Sequence, residues 1–185
     1  MNRQESSPRP SIEAATHATH DGSAPALRID FVLGTKAQYI KTAPLMRLMQ
    51  ERGIHYRLID TGQHAELTPA LRQELMIKQP DIQLGGAQNI KSLLGGLSWA
   101  LRIGWSILFR DRYYTHDVFQ PGPGYCVIHG DTTSTLLALL MAMRAGKTIV
   151  HLEAGLRSFN LLRPFPEEII RIICMKFADI LFAPS

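Results

Sequence analysis

The chain has 185 residues, 45% hydrophobic and 19% charged, an ordinary globular balance with enough length for one packed domain. Its formal net charge is +4, part of it carried by Lys91, Arg102, Arg110 and Arg112; no Lys/Arg run interleaved with aromatics occurs, which argues against nucleic acid and suits a phosphorylated or nucleotide-linked substrate. The two cysteines, Cys126 and Cys174, lie in apolar runs without metal-ligand spacing, so they read as reduced thiols of a cytoplasmic protein.

Residues 1–26 have no apolar core to serve as a secretory signal, and their Ser, Ala, Thr and Pro content predicts a disordered tail. From Leu27 onward, short apolar runs alternate with longer helical ones. "LRIDFVLGT" predicts a first strand and "AQYIKTAPLMRLMQERG" a helix. In that helix Ile40, Leu45, Leu48 and Met49 form the expected apolar stripe, Gly53 the stop, and Pro44 a start or a kink. "HYRLIDTG" reads as strand, "ELTPALRQELMIK" as helix, "YCVIHG" as strand and "TTSTLLALLMAMRAG" as helix. "TIVHLEAG", "PEEIIRIICMKFA" and "DILFAPS" complete the pattern as strand, helix and strand. Between them, Ser92 to Phe109 is a long apolar stretch with one charge, Arg102. It reads as a buried or half-buried helix, with membrane-surface contact through 92–112 as the minority reading.

Apolar strands separated by helices predict an α/β fold, a parallel sheet covered on both faces. Ligands of such sheets bind beyond the C-terminal strand ends, here "LGTKAQ", "DTGQH", "IHGDTT", "HLEAGLR" and "FAPS". Asp131 has an ordinary structural explanation as a helix N-cap, and Glu167 one as a first-turn carboxylate paired with Arg171; Glu168 shares that explanation on another side of the helix. Glu153, ending an apolar strand, is costly unless it serves a partner or a reaction. His129 and His151 precede Asp131 and Glu153 in matching positions and read as hydrogen-bonding supports rather than metal ligands. Lys36 and Lys41 follow the first strand, where a helix N-terminus favours phosphate. The glycine pattern of a P-loop or dinucleotide fingerprint is missing.

"TGQH", "HGDTTSTL", "HLEAGLRS" and "PFPEE", in this order and spacing, resemble the non-hydrolysing UDP-N-acetylglucosamine 2-epimerase family from about Arg28 to Ser185. The resemblance implies a Rossmann-like domain over 27–185, the N-terminal half of a two-domain glycosyltransferase-B arrangement whose C-terminal nucleotide-binding domain is missing from this chain. It implies interconversion of UDP-GlcNAc and UDP-ManNAc by UDP elimination to a 2-acetamidoglucal and re-addition, for cell-surface polysaccharides, without a cofactor or metal. It places Asp131, Glu153 and Glu167 at the catalytic carboxylates, and Lys36, Lys41 and Arg157 among the substrate-binding cations. Gln63 and His64 fall in the segment that, in bacterial members, helps form an activating UDP-GlcNAc site. A homodimer is a further partner reading. Members commonly read "GTRPE" where this chain reads "GTKAQ", so Lys36 stands at an arginine and Gln38 at a glutamate. Lysine keeps the charge and loses the bidentate fork. A hydrolysing UDP-GlcNAc 2-epimerase, a glycosyltransferase of similar architecture and a non-catalytic sugar-nucleotide-binding protein are the alternatives.

Overall fold

The computed structural model describes residues 27–63, 69–84, 105, 112–160 and 165–184, the side chains of 69 and 70 excepted. The tail 1–26, His64 and the 92–109 stretch apart from exposed Trp105 lie outside the described residues, as does the membrane-surface reading built on that stretch. No helix among the described residues is long and apolar enough to cross a membrane.

Six described strands form one all-parallel sheet in the order β3-β2-β1-β4-β5-β6. They are β1 (Ile29–Leu33), β2 (Arg57–Asp60), β3 (Ile82–Gln83), β4 (Tyr125–His129), β5 (Thr148–Leu152) and β6 (Ile180–Phe182). The helices are α1 (Lys36–Glu51), α2 (Pro69–Glu74), α3 (Thr133–Arg144) and α4 (Glu167–Phe177), with a π-helical segment at Tyr113–Val118. The five expected strands are all present. The two-residue β3 was not expected: it is too short to show a period, and its pairing with β2 fixes it.

Strand alternation splits the core in two. Phe31, Leu33, Leu58, Val127 and Val150 face Tyr39, Ala43, Met46 and Met49 of α1. Val32, Ile59, Cys126, Ile128 and Ile149 face Leu137, Ala138 and Met141 of α3 and Ile170 and Cys174 of α4. Both faces are thus covered, which is why apolar side chains point both ways along these strands.

The expected stripe on α1 is corrected by this packing. Ile40, Leu45 and Leu48 are exposed, and of the four residues only Met49 is buried. The helix instead buries Gln38, Tyr39, Thr42, Ala43, Met46 and Met49, a face containing two polar side chains that find partners of their own. Pro44 lies inside α1 without ending it, and Gly53 closes the helix with a φ of 66°.

Candidate functional site

The strand order reverses direction between β1 and β4, which sit side by side while their following helices, α1 and α3, cover opposite faces. The crevice beyond their C-terminal ends is the switch point where open parallel sheets hold ligands. Two turns border it, Gly34-Thr35 after β1 and Gly130-Asp131-Thr132 after β4. A Cβ on Gly34 would lie 2.1 Å from Thr61 Oγ1, after β2, and 2.2 Å from Ser134 Oγ, in the first turn of α3. Only glycine fits there.

Lys41 and Glu153 meet at this crevice, from α1 and from the turn after β5. Lys41 Nζ is 2.5 Å from Glu153 Oε1, and Glu153 Oε2 is 3.3 Å from His129 Nε2. Glu153 adopts a φ of 61°, left-handed backbone that a side-chain-bearing residue enters at a cost of about 1–3 kcal/mol. That conformation at the end of β5 carries the carboxylate between a lysine and a histidine.

Asp131 is the centre of a second group, and here an expectation is corrected. The N-cap of α3 is Thr132, whose hydroxyl accepts from Thr135 N, with the reciprocal bond from Thr132 N to Thr135 Oγ1. Asp131, one residue earlier, is left to accept from Arg171 Nη2. Arg171 also donates to Glu168 Oε2 at 2.9 Å, and Glu168 accepts from Arg157 Nε at 2.5 Å and Ser158 N at 3.0 Å. Asp131, Arg171, Glu168 and Arg157 therefore form an alternating chain of charges across α4. The Arg157 hydrogen bond, followed by that of Ser158 N, holds the Glu168 carboxyl down at about 2.

The expected Glu167–Arg171 pair does not form: Arg171 takes Glu168, three residues before it, and Asp131. Glu167 lies at the start of α4, half-buried, with Oε2 buried and without a hydrogen-bond partner. A buried oxygen left without a hydrogen bond costs stability.

The two histidines are supports, as expected. His151 is fully buried, donates through Nε2 to the Gly130 carbonyl at 2.7 Å, and thereby fixes the turn that presents Asp131. Burial pushes both His129 and His151 below the usual histidine value, so both imidazoles are neutral near pH 7. No group of three or more metal-ligating side chains occurs among the described residues.

Lys36 opens α1, exposed, where the helix dipole disfavours a cation unless an anion joins it. Gln63 reaches the other side of the crevice, its Oε1 accepting from Ser134 Oγ. Arg157 stacks over Phe159, its guanidinium carbon 5.1 Å from the ring centroid. Lys41 and Glu153 are thus paired directly, and Asp131 and Arg157 are linked through Arg171 and Glu168; among the described residues Lys36 and Glu167 stand without such links. The residues that sequence reasoning passed over are the hydroxyls Thr132, Ser134 and Thr135; Gln38 was noted only for standing at a glutamate. The hydroxyl run "DTTST" was the available signal.

The sequence model of the family described as UDP-N-acetylglucosamine 2-epimerase matches residues 46–185. A UDP-N-acetylglucosamine 2-epimerase of Campylobacter jejuni is 33% identical over 159 residues, 85% of this chain and 39% of that protein. A UDP-2,3-diacetamido-2,3-dideoxy-D-glucuronate 2-epimerase of Pseudomonas aeruginosa is 30% identical over 165 residues, 86% of this chain and 42% of that one. In structure, the chain resembles UDP-GlcNAc 2-epimerase from Neisseria meningitidis bound to UDP-GlcNAc, with a TM-score of 0.69 and 30% identity over 86% of this chain and 40% of that one. The chain spans about two fifths of the length of these relatives.

Proposed function

The chain belongs to the UDP-N-acetylglucosamine 2-epimerase family, and we propose that it forms one wall of an active site that inverts C2 of a UDP-linked 2-acetamido sugar, UDP-GlcNAc being the leading candidate. The reading rests above all on one observation: Lys41, Glu153, His129 and Asp131 converge on the crevice beyond β1 and β4.

The C2 proton is poorly acidic, so direct removal is slow. Elimination makes it easier, because UDP departure builds positive charge at C1: the C1–O bond breaks with its electrons leaving on UDP, the acidified C2–H bond breaks to a base, and a C1=C2 double bond forms. Re-addition of UDP at C1, with a proton delivered to the other face of C2, gives the inverted sugar. Two proton transfers and a departing diphosphate need carboxylates in different environments and cations near the leaving oxygen. Asp131 lies on the Arg171 guanidinium, Glu153 lies between Lys41 and His129, and Glu167 keeps an unpartnered oxygen. Lys36, Lys41 and the N-terminus of α1 form the side suited to the diphosphate.

A second, nucleotide-binding domain completes the cleft in this reading, as the two-fifths coverage of relatives supports. Relatives named for two different UDP-sugars are about equally similar to the chain, which supports the class of UDP-linked 2-acetamido sugars. Two free buried cysteines suit a cytoplasmic reaction supplying polysaccharide synthesis.

The test uses the protein that joins this chain to its second domain, incubated with UDP-GlcNAc in heavy water. Deuterium should appear at sugar C2. Asp131→Asn, Glu153→Gln and Glu167→Gln should each lower turnover about 10²–10⁴-fold while remaining folded. Turnover of the sugar nucleotide with no deuterium at C2 would point to glycosyl transfer instead.

A further inference from the structure

Gln38 lies in the "GTKAQ" turn, and the proposed chemistry gives it no task. Gln38 is 2% exposed and occupies the third position of α1. Its Oε1 accepts from Gly34 N at 2.8 Å and Thr35 N at 3.1 Å. Its Nε2 donates to the His129 carbonyl at 2.8 Å, to Thr135 Oγ1 at 2.9 Å and to Thr132 Oγ1 at 3.1 Å. The orientation of the amide is fixed by its partners: only an oxygen can receive two backbone N–H groups, and only a nitrogen can face a carbonyl.

These bonds join the turn after β1 to the turn after β4, across 91 to 97 residues of chain. The same His129 carbonyl also accepts from Thr135 Oγ1 at 2.7 Å, and the next carbonyl, Gly130, accepts from His151. The His129-Gly130-Asp131 turn is therefore held from α1, from α3 and from β5. Lys36 and Lys41 ride on α1, and Asp131 rides on the turn.

We propose that Gln38 is a positioning residue, which fixes Asp131 relative to the lysine-bearing start of α1. The proposal rests on the epimerase reading, since that reading makes Asp131 and Lys41 act on one substrate. Gln38 touches neither the sugar nor the phosphates. It acts through the two turns.

Two variants separate positioning from simple support. Gln38→Met preserves length and removes the amide links. Gln38→Glu keeps the acceptors for Gly34 N and Thr35 N but sets an oxygen against the His129 carbonyl, so it breaks the link to the turn after β4 alone. In the two-domain protein, assayed where each variant is folded, Gln38→Met should lower kcat about 10²-fold, the scale of a misplaced group. KM should stay within about threefold. Gln38→Glu should lower kcat likewise, with KM again within about threefold. A folded Gln38→Met with wild-type kcat overturns the proposal, and so does a loss confined to KM. Where Gln38→Met does not fold, Thr135→Val deletes one arm of the same link and should show the same split.

Absence of turnover in the wild type would sink the epimerase reading by itself. Placement is then read on the 185-residue chain by amide hydrogen exchange. In Gln38→Met, exchange at Gly34, Thr35 and the 130–135 turn should accelerate together by about tenfold relative to the strands. Unchanged exchange at either turn overturns the proposal.

Discussion

Glu168 is completely buried, yet it is charged, because two arginines and a backbone N–H surround its oxygens. Its carboxyl sits at about 2 in the fold against an ordinary 4.5. A depressed carboxyl stabilises the fold fully above its unfolded value, and that contribution fades as pH falls through its folded value. Glu168→Gln should therefore melt lower than wild type by a constant margin at neutral pH, and the margin should shrink between pH 4.5 and about 2. Melting curves from pH 7 downward check this; a margin that ignores pH would mean that the carboxylate's charge contributes nothing. The sequence hid this residue for a physical reason. Glu167 and Glu168 look alike as first-turn acids, and only the crossing of α4 against the Asp131 turn decides which one meets Arg171. Glu153 was legible, because a carboxylate closing an apolar strand has no local explanation. The helix N-cap expected at Asp131 falls instead to Thr132 beside it, an equally good cap.

At the scale of elements, strands were easier to read than helix faces. Each central strand is apolar on both sides, so its identity does not depend on knowing which face is buried. Helix α1 needs that knowledge. Its buried face carries Gln38 and Thr42, whose polar groups are bonded, while its exposed face carries Ile40, Leu45 and Leu48. Period counting weighs side-chain type and cannot see a satisfied amide. Paired substitutions make the difference measurable. Met46 is fully buried between β1 and β2, and Met46→Ala should cost about 2–5 kcal/mol through lost contacts and an unfilled cavity. Leu48→Gln, on the exposed side, should shift stability by less than about 0.5 kcal/mol. Denaturant unfolding of the two variants gives both numbers, and a large loss from Leu48→Gln would mean that α1 buries that side against something in solution.

The two ends of the sheet have different characters. At the N-terminal end, charges are consumed by scaffolding: Lys147 donates to the Gln120 and Gly122 carbonyls, and Arg57 to the Val118 carbonyl while lying 3.5 Å from Asp30. At the C-terminal end, charges remain accessible. The Lys41 side chain is 52% exposed and that of Arg157 is 32% exposed. Such openness suits binding, but water around these groups screens the fields that an elimination and its developing charges require. Sites that turn over small ligands enclose most of the ligand surface, and the cations at this crevice are open to solvent. The purified 185-residue chain should therefore bind UDP-GlcNAc weakly and show neither C2 deuterium exchange nor epimer formation. Adding the second domain should restore both without changing any residue of the chain. Steady turnover by the chain alone, after removal of every other protein, would show that one wall is enough and would end the two-domain reading.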